Sequence, residues 1–257
     1  MTQVYPRLFG VGAGAGDPKW LTLEADRILR DTPVIAFPRG FATETGRAEK
    51  IVQAYLKPDK YLLRLALPMT RDSAVLDQAW NDAAEQLLSY LGRGLDVVFV
   101  TEGDPSLYST FSYLANVVAV KSPNTAVEII PGISSVTAAS AMIGTSLVMG
   151  QQSLAIIPAQ DNLTTLIRAL ETCDTVVILK ISQNFDRIYQ LLDSRHLLPS
   201  TVYLGEIGTP QQEIVTDLRN FRQDAVPYFS LLVVRQHAVA GEKQRSAERD
   251  EKETRDA

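Results

Sequence analysis

The chain has 257 residues, of which 46% are hydrophobic and 21% charged, with a net charge of −5; that suits one large or two modest globular domains and excludes wholesale disorder and fibrous repeats. No apolar run reaches the ~18 residues of a membrane span, one cysteine excludes an internal disulfide or a thiolate metal site, and two histidines leave no polyhistidine centre. The acidic balance offers no case for nucleic acid or an anionic membrane, and the opening MTQVYPRLFG lacks a charged-then-apolar signal layout, so a cytoplasmic globular protein is expected.

The first half alternates strand and helix signals. Leu8 to Val11 is a short apolar run ending in glycines, and Leu21, Ala25, Ile28 and Leu29 then share one helical face, with Asp17 or Thr22 available as N-cap. Pro33 to Phe37 reads as a strand, Ala48 to Leu56 as a helix, and Leu63 to Leu67 as a half-exposed strand. Leu76 to Leu91 gives about four turns of amphipathic helix, stopped by Gly92 and Gly94, before the buried strand Asp96 to Val100. Near-continuous apolar strands separated by helices imply a mainly parallel sheet covered on both faces.

The polar stretch Lys121 to Thr125, with its Pro-Asn turn signal, is the expected domain boundary, separating an α/β domain over 1–121 from a second over 126–240. In the second, Val127 to Ile130, Leu154 to Ile157, Val176 to Leu179, Thr201 to Leu204 and Tyr228 to Val234 read as strands. Val136 to Ile143, Leu163 to Leu170 and Phe185 to Leu192 read as helices. Residues 241–257 carry dense alternating charge without apolar periodicity and read as a disordered tail.

Three loops follow strand ends. Gly10-Val11-Gly12-Ala13-Gly14-Ala15-Gly16-Asp17-Pro18 places glycine at every second position, which lets backbone approach a ligand closely. Its strict alternation is not the G-x-G-x-x-G of a dinucleotide fold, and no P-loop lysine follows. Thr101 to Thr110 carries Gly103, two carboxylates and several hydroxyls, and Pro131-Gly132-Ile133-Ser134-Ser135 occupies the corresponding place after Ile130. Ligands of open α/β sheets sit at such carboxyl edges. Each loop alone can be a tight turn; three together point to a binding site.

These motifs resemble the tetrapyrrole (corrin/porphyrin) methylase family: Gly12 to Asp17 with Leu21-Thr22, then Gly103-Asp104-Pro105, then Pro131-Gly132-Ile133-Ser134-Ser135-Val136-Thr137-Ala138-Ala139, in the family's order and over about nine tenths of the chain. Within the family, Gly103 to Phe111 and Tyr228-Phe229-Ser230 look most like the enzymes that methylate C20 of precorrin-2. The resemblance implies two α/β domains with a cleft between them, a homodimer, S-adenosylmethionine as methyl donor, and precorrin-2 or its cobalt complex (cobalt-factor II) as acceptor. A different corrin ring carbon or a non-tetrapyrrole acceptor is the alternative. Carried over by motif, cofactor contacts fall on Ala15, Glu102, Gly103, Asp104, Leu107, Ser134, Ser135, Lys180 and Gly208, and substrate contacts on Gly14, Asp17 and Tyr108. Many relatives have proline where Ala15 stands, and the uroporphyrinogen methylases have glycine where Glu102 stands.

Methyl transfer from a sulfonium needs alignment more than reactive side chains. A carboxylate could take the released proton, with Asp17 and Asp104 as candidates; a helix cap and a loop brace are their structural alternatives. Tyr108 is open to stacking on a ligand or to a half-buried core role. Ser109 and Thr110 are expected to cap the next helix. Arg39, Arg71 and Lys180 could pair with substrate carboxylates or be solvated charge. Cys173 reads as a small buried residue, and His196 and His237 as structural or solvated. With so few histidines, a Ser-His-Asp hydrolase is a poor fit.

Overall fold

A computed structural model of the protein describes residues 6–39, 45–68, 70, 72–222 and 225–236. Arg71, His237 and the charged tail over 241–257 lie outside the described residues. The chain forms two compact units, Met1–Ser135 and Val136–Ala257.

Among the described residues, the first unit is built on five parallel strands: β1 (Arg7–Gly12), β2 (Val34–Arg39), β3 (Tyr61–Ala66), β4 (Val97–Thr101) and β5 (Ala126–Ile130), in the order β3-β2-β4-β1-β5. Alternate side chains of each strand feed opposite faces. Leu8, Val34, Ala36, Val97 and Phe99 pack with α3 (Ser73–Leu91) and α4 (Phe111–Lys121), through Ala83, Leu87, Phe111 and Leu114. Phe9, Val11, Ile35, Phe37, Val98 and Val100 pack with α1 (Leu23–Asp31) and α2 (Arg47–Ile51), through Ala25, Ile28, Leu29, Ala48 and Ile51. Each buried Leu, Ile or Phe contributes about 1.5–3 kcal/mol against the cost of ordering it. Helices on both faces are why β4 reads as an uninterrupted apolar run.

The helix starts follow local chemistry. The Thr22 hydroxyl accepts from the Ala25 N–H at 3.1 Å and caps α1, and Asp72 caps α3 through the Ala74 N–H at 2.9 Å. Asp17 caps not α1 but a single 3₁₀ turn, Pro18–Trp20, by accepting from the Lys19 N–H at 2.9 Å.

The second unit carries a mixed sheet, β6 (Leu154–Pro158), β7 (Thr175–Leu179), β8 (Thr201–Gly205), β9 (Glu213–Val215) and β10 (Ser230–Arg235), in the order β6-β7-β10-β8-β9. β6 and β7 are parallel, and the remaining pairs antiparallel. Its helices are α5 (Ser135–Ile143, starting at the last residue of the first unit), α6 (Thr164–Thr172) and α7 (Phe185–Ser194). Leu166, Leu170, Ile188 and Leu192 pack against Val176, Ile178, Leu232 and Val234, with Tyr203 buried among them and its hydroxyl 3.0 Å from Ser230 Oγ.

Three expectations change. Lys121 to Thr125 is a turn inside the first unit, closed by the Thr125 N–H on the Ser122 carbonyl at 2.9 Å. β5 follows it and pairs with β1, so the units divide between Ser135 and Val136. The helix expected over Ala48 to Leu56 stops at Ile51 and continues as a 3₁₀ turn, Gln53–Tyr55. The three-residue β9 has no counterpart in the sequence reading.

Candidate functional site

β1 is flanked by β4 and β5, and because all three run parallel, their carboxyl ends lie along one sheet edge. The Gly12–Asp17, Thr101–Thr110 and Pro131–Ser135 loops leave from these ends and bond to one another. The Ala13 N–H donates to the Thr101 carbonyl at 2.9 Å. Gly14 and Gly103 exchange backbone hydrogen bonds at 3.3 and 2.8 Å, both at positive φ. The third loop joins through Asp104, whose Oδ2 accepts from the Gly132 N–H at 2.9 Å. Thr22 Oγ1, at the start of α1, lies 3.5 Å from the Pro131 carbonyl.

Packing here is at backbone distance. A Cβ on Gly12 would come within 2.7 Å of the Gly132 Cα, and one on Gly132 within 2.7 Å of the Gly12 Cα. Gly103 differs: at φ +65° its side-chain direction is open, with nothing nearer than the Ser134 Cα at 3.8 Å. Glycine at 103 therefore answers a left-handed backbone beside free space, whereas the glycines at 12 and 132 answer contact with neighbouring loops.

The two candidate proton acceptors are engaged otherwise. Asp104 Oδ1 accepts from the Ser106 N–H at 2.8 Å and from the Ser106 hydroxyl, and Oδ2 from Gly132. Partial burial alone would raise its pKa, but the Ser106 and Gly132 hydrogen bonds outweigh it and hold the carboxyl below the usual value. An ionised carboxylate that already accepts three hydrogen bonds is a weak proton acceptor and a good loop brace. The Asp17 carboxylate serves the 3₁₀ turn.

Glu102 turns toward α2, where its Oε1 accepts from the Ala48 N–H at 3.1 Å. Ala15 is buried, and its carbonyl accepts from Arg47 Nη2 at 3.1 Å. No local sequence pattern ties Arg47 or Ala48 to the loops; only the fold brings them there. Leu107 is partly buried, and Tyr108 is left-handed at φ +51° with 47% of its surface exposed, which sets aside the core role left open for it. Ser109 Oγ accepts from the Phe111 N–H at 3.2 Å and so opens α4; Thr110, at the N-cap position, makes no side-chain cap. Ser134 and Ser135 are partly buried where the third loop enters α5.

In the second unit, β7 and β8 are both antiparallel to β10 and so end on one edge. Lys180 (φ +57°) follows β7; Glu206 (φ +51°) and Gly208 (φ +74°) follow β8. Surrounding protein disfavours the charged Lys180 ammonium and lowers its pKa, although the residue as a whole is exposed. Glu206 escaped the sequence reading, and left-handed non-glycine residues at strand ends are a mark of constrained sites. Of the remaining candidates, Arg39 is exposed at the end of β2, Cys173 half-buried, and His196 exposed in the turn after α7. No group of three or more histidine, cysteine, aspartate or glutamate side chains is arranged to hold a metal among the described residues.

Residues 7–221 match the family described as Tetrapyrrole (Corrin/Porphyrin) Methylases. The chain is 33% identical over 236 residues to a Precorrin-2 C(20)-methyltransferase of Sinorhizobium sp, covering 89% of this chain and 94% of that protein. It is 30% identical to the Cobalt-precorrin-2 C(20)-methyltransferase of Salmonella typhimurium, with 89% and 95% covered. Against the Cobalamin biosynthesis protein CobIJ of Mycobacterium tuberculosis it is 31% identical over 88% of its length but spans only 45% of that longer protein. Among solved structures, a cobalt precorrin-4 methyltransferase superposes with a TM-score of 0.68 at 20% identity, covering 89% of this chain and 94% of that one. The uroporphyrin-III C-methyl transferase of Thermus thermophilus complexed with S-adenosylhomocysteine superposes with a TM-score of 0.65 at 20% identity, covering 90% and 97%. With the two-sheet fold, the three loops at one strand edge and a family match over most of its length, the chain belongs to the tetrapyrrole (corrin/porphyrin) methylases.

Proposed function

We propose that the chain is an S-adenosylmethionine-dependent C-methyltransferase of cobalamin biosynthesis that adds a methyl group to C20 of precorrin-2 or cobalt-precorrin-2. The observation that carries the reading is the mutual bonding of the loops after β1, β4 and β5, which makes one backbone-lined edge out of three separated motifs. The choice of C20 is supported by the relatives bearing that name, which match this chain over nearly their whole length.

The residues suit such a donor. Beside Gly103 there is room that a side chain would take, and the loops offer small residues and backbone groups for a neutral adenosyl and amino-acid framework. The ionised Asp104 adds negative charge near a ligand that carries a sulfonium. When bound, S-adenosylmethionine supplies an electrophilic methyl group to a nucleophilic ring carbon. The chain's part is to hold the two reactants in line, worth up to about 7–11 kcal/mol when the geometry is near attack. Gly103, Ser134 and Ser135 would hold the donor, together with Ala15 and Leu107, and Gly14 would face the acceptor; Lys180 and Gly208 are further cofactor positions implied by motif. Tyr108, exposed on the same loop as Gly103, would face the macrocycle. Assembly as a homodimer belongs to the same proposal.

Incubation with methyl-labelled S-adenosylmethionine and either precorrin-2 or cobalt-factor II, followed by locating the label, tests the reading. Label at C20 is expected. Label at another ring carbon would keep the donor and replace the acceptor position; no transfer to either tetrapyrrole would remove the proposal.

A further inference from the structure

Glu102 stands where family resemblance places a cofactor contact, yet its carboxylate is spent on the backbone of α2. We propose that Glu102 and Arg47 are positioning residues, which together close a ring of bonds that fixes the spacing of the two cofactor loops.

The ring can be followed atom by atom. Gly103 and Gly14 are tied by their paired backbone hydrogen bonds, at 2.8 and 3.3 Å. Gly14 is bonded to Ala15, whose carbonyl receives Arg47 Nη2 at 3.1 Å. Arg47 is bonded to Ala48, whose N–H donates to Glu102 Oε1 at 3.1 Å, and Glu102 is bonded to Gly103. The loops after β1 and β4 are thus joined directly, at Ala13–Thr101 and Gly14–Gly103, and again through the first turn of α2. That turn is a firm anchor, because Ala48 and Ile51 are buried in the core under β2 and β4. Oε1 is an acceptor for a backbone N–H, a task any carbonyl oxygen at that place can do, so the part of Glu102 in the ring depends on its length and its acceptor, not on its charge. Opening either link removes the brace through α2 and leaves the loops after β1 and β4 to the Ala13–Thr101 and Gly14–Gly103 backbone bonds. The ring exists without ligand; its functional consequence rests on the proposed use of these loops for S-adenosylmethionine.

The test uses the full chain as wild type, Glu102→Ala, Arg47→Met, the double variant, and Glu102→Gln, which keeps the acceptor. Hydrogen exchange of the ligand-free proteins is followed in segments 12–17 and 101–106. Either truncation is expected to speed exchange in both segments by about 10-fold, the double variant by no more than the stronger single, and Glu102→Gln to restore wild-type protection. Exchange confined to the mutated side, or additive effects in the double variant, would overturn the ring. Calorimetric titration with S-adenosylhomocysteine should show the same non-additive pattern, a loss of about 10-fold in each truncation with Glu102→Gln near wild type. Failure of Glu102→Gln to restore affinity while it restores protection would mean that Glu102 contacts the ligand through its charge, and would overturn the positioning role. No binding by wild type would remove the methyltransferase reading and the positioning role with it, leaving the exchange result to stand for the ring alone. If a truncation fails to fold, Glu102→Asp, one methylene short of Ala48, takes its place with the same expected outcomes.

Discussion

Gly14 and Gly103 lie opposite one another, both left-handed (φ +81° and +65°), and each donates its N–H to the other's carbonyl. Residues 89 positions apart thereby form a two-residue bridge at the carboxyl edge of the first sheet. It brings a glycine-rich turn and a carboxylate-bearing loop to a single place.

The glycines of this edge should separate by mechanism. Gly103→Ala has room for its methyl group and costs only the left-handed backbone, about 1–2 kcal/mol. Gly132→Ala drives a methyl group into the backbone at Gly12 and Gly103, and the resulting strain should cost more than Gly103→Ala, about 3 kcal/mol, and shift both loops. Denaturant unfolding of the two variants checks the order; a Gly132→Ala protein as stable as Gly103→Ala would contradict the packing described.

Asp104 should give stability a pH signature. Its folded pKa lies below the ordinary carboxylate value of about 3.9 found in unfolded chains. The native state therefore binds fewer protons than the unfolded one in that range, and the contribution is full above the unfolded pKa and lost as pH falls through the folded value. Asp104→Asn should melt lower than wild type at pH 7, with the gap narrowing below about pH 4. A gap that stays constant between pH 7 and pH 3 would show that the charge of Asp104 contributes nothing to the brace.

Tyr108 holds a left-handed conformation that glycine adopts without strain, and its ring is half exposed. Tyr108→Gly should leave the melting temperature within about 3 °C of wild type, since relief of the backbone offsets the added freedom of the unfolded chain. If the ring faces the macrocycle, the same variant should raise KM for the tetrapyrrole while S-adenosylhomocysteine affinity is retained. Steady-state kinetics beside the melt separate the two roles; unchanged KM would remove Tyr108 from the substrate side.

The strands of the first sheet were legible because helices cover both of its faces, so β1, β2 and β4 show as apolar runs bounded by turn residues. The three loops were legible as glycine and carboxylate clusters at strand ends. The helix over Ala48 to Leu56 was overextended because Ala48, Ile51, Val52 and Tyr55 keep helical spacing, while the backbone leaves the helix at Val52 (φ −97°, ψ 17°). The unit boundary was misplaced because a Pro-Asn turn looks alike between domains and within one, and only the pairing of β5 with β1 decides. Glu102 and Ala48 are 54 residues apart and Arg47 and Ala15 are 32, so the work of both side chains was invisible before the fold was known. Among the described residues β9 pairs with β8 alone, over three half-buried residues, too few for alternation to register.

The central claim is that the three bonded loops hold S-adenosylmethionine, and calorimetric titration of S-adenosylhomocysteine into wild type and Gly132→Ala, each verified as folded by circular dichroism, tests it most directly. The variant removes none of the side chains proposed to touch the ligand and acts through the packing of the loops. One-site binding by wild type and a loss of at least about 10-fold in Gly132→Ala, equivalent to 1.4 kcal/mol, is the result expected. Equal affinity in the two folded proteins would place the ligand away from these loops and contradict the account.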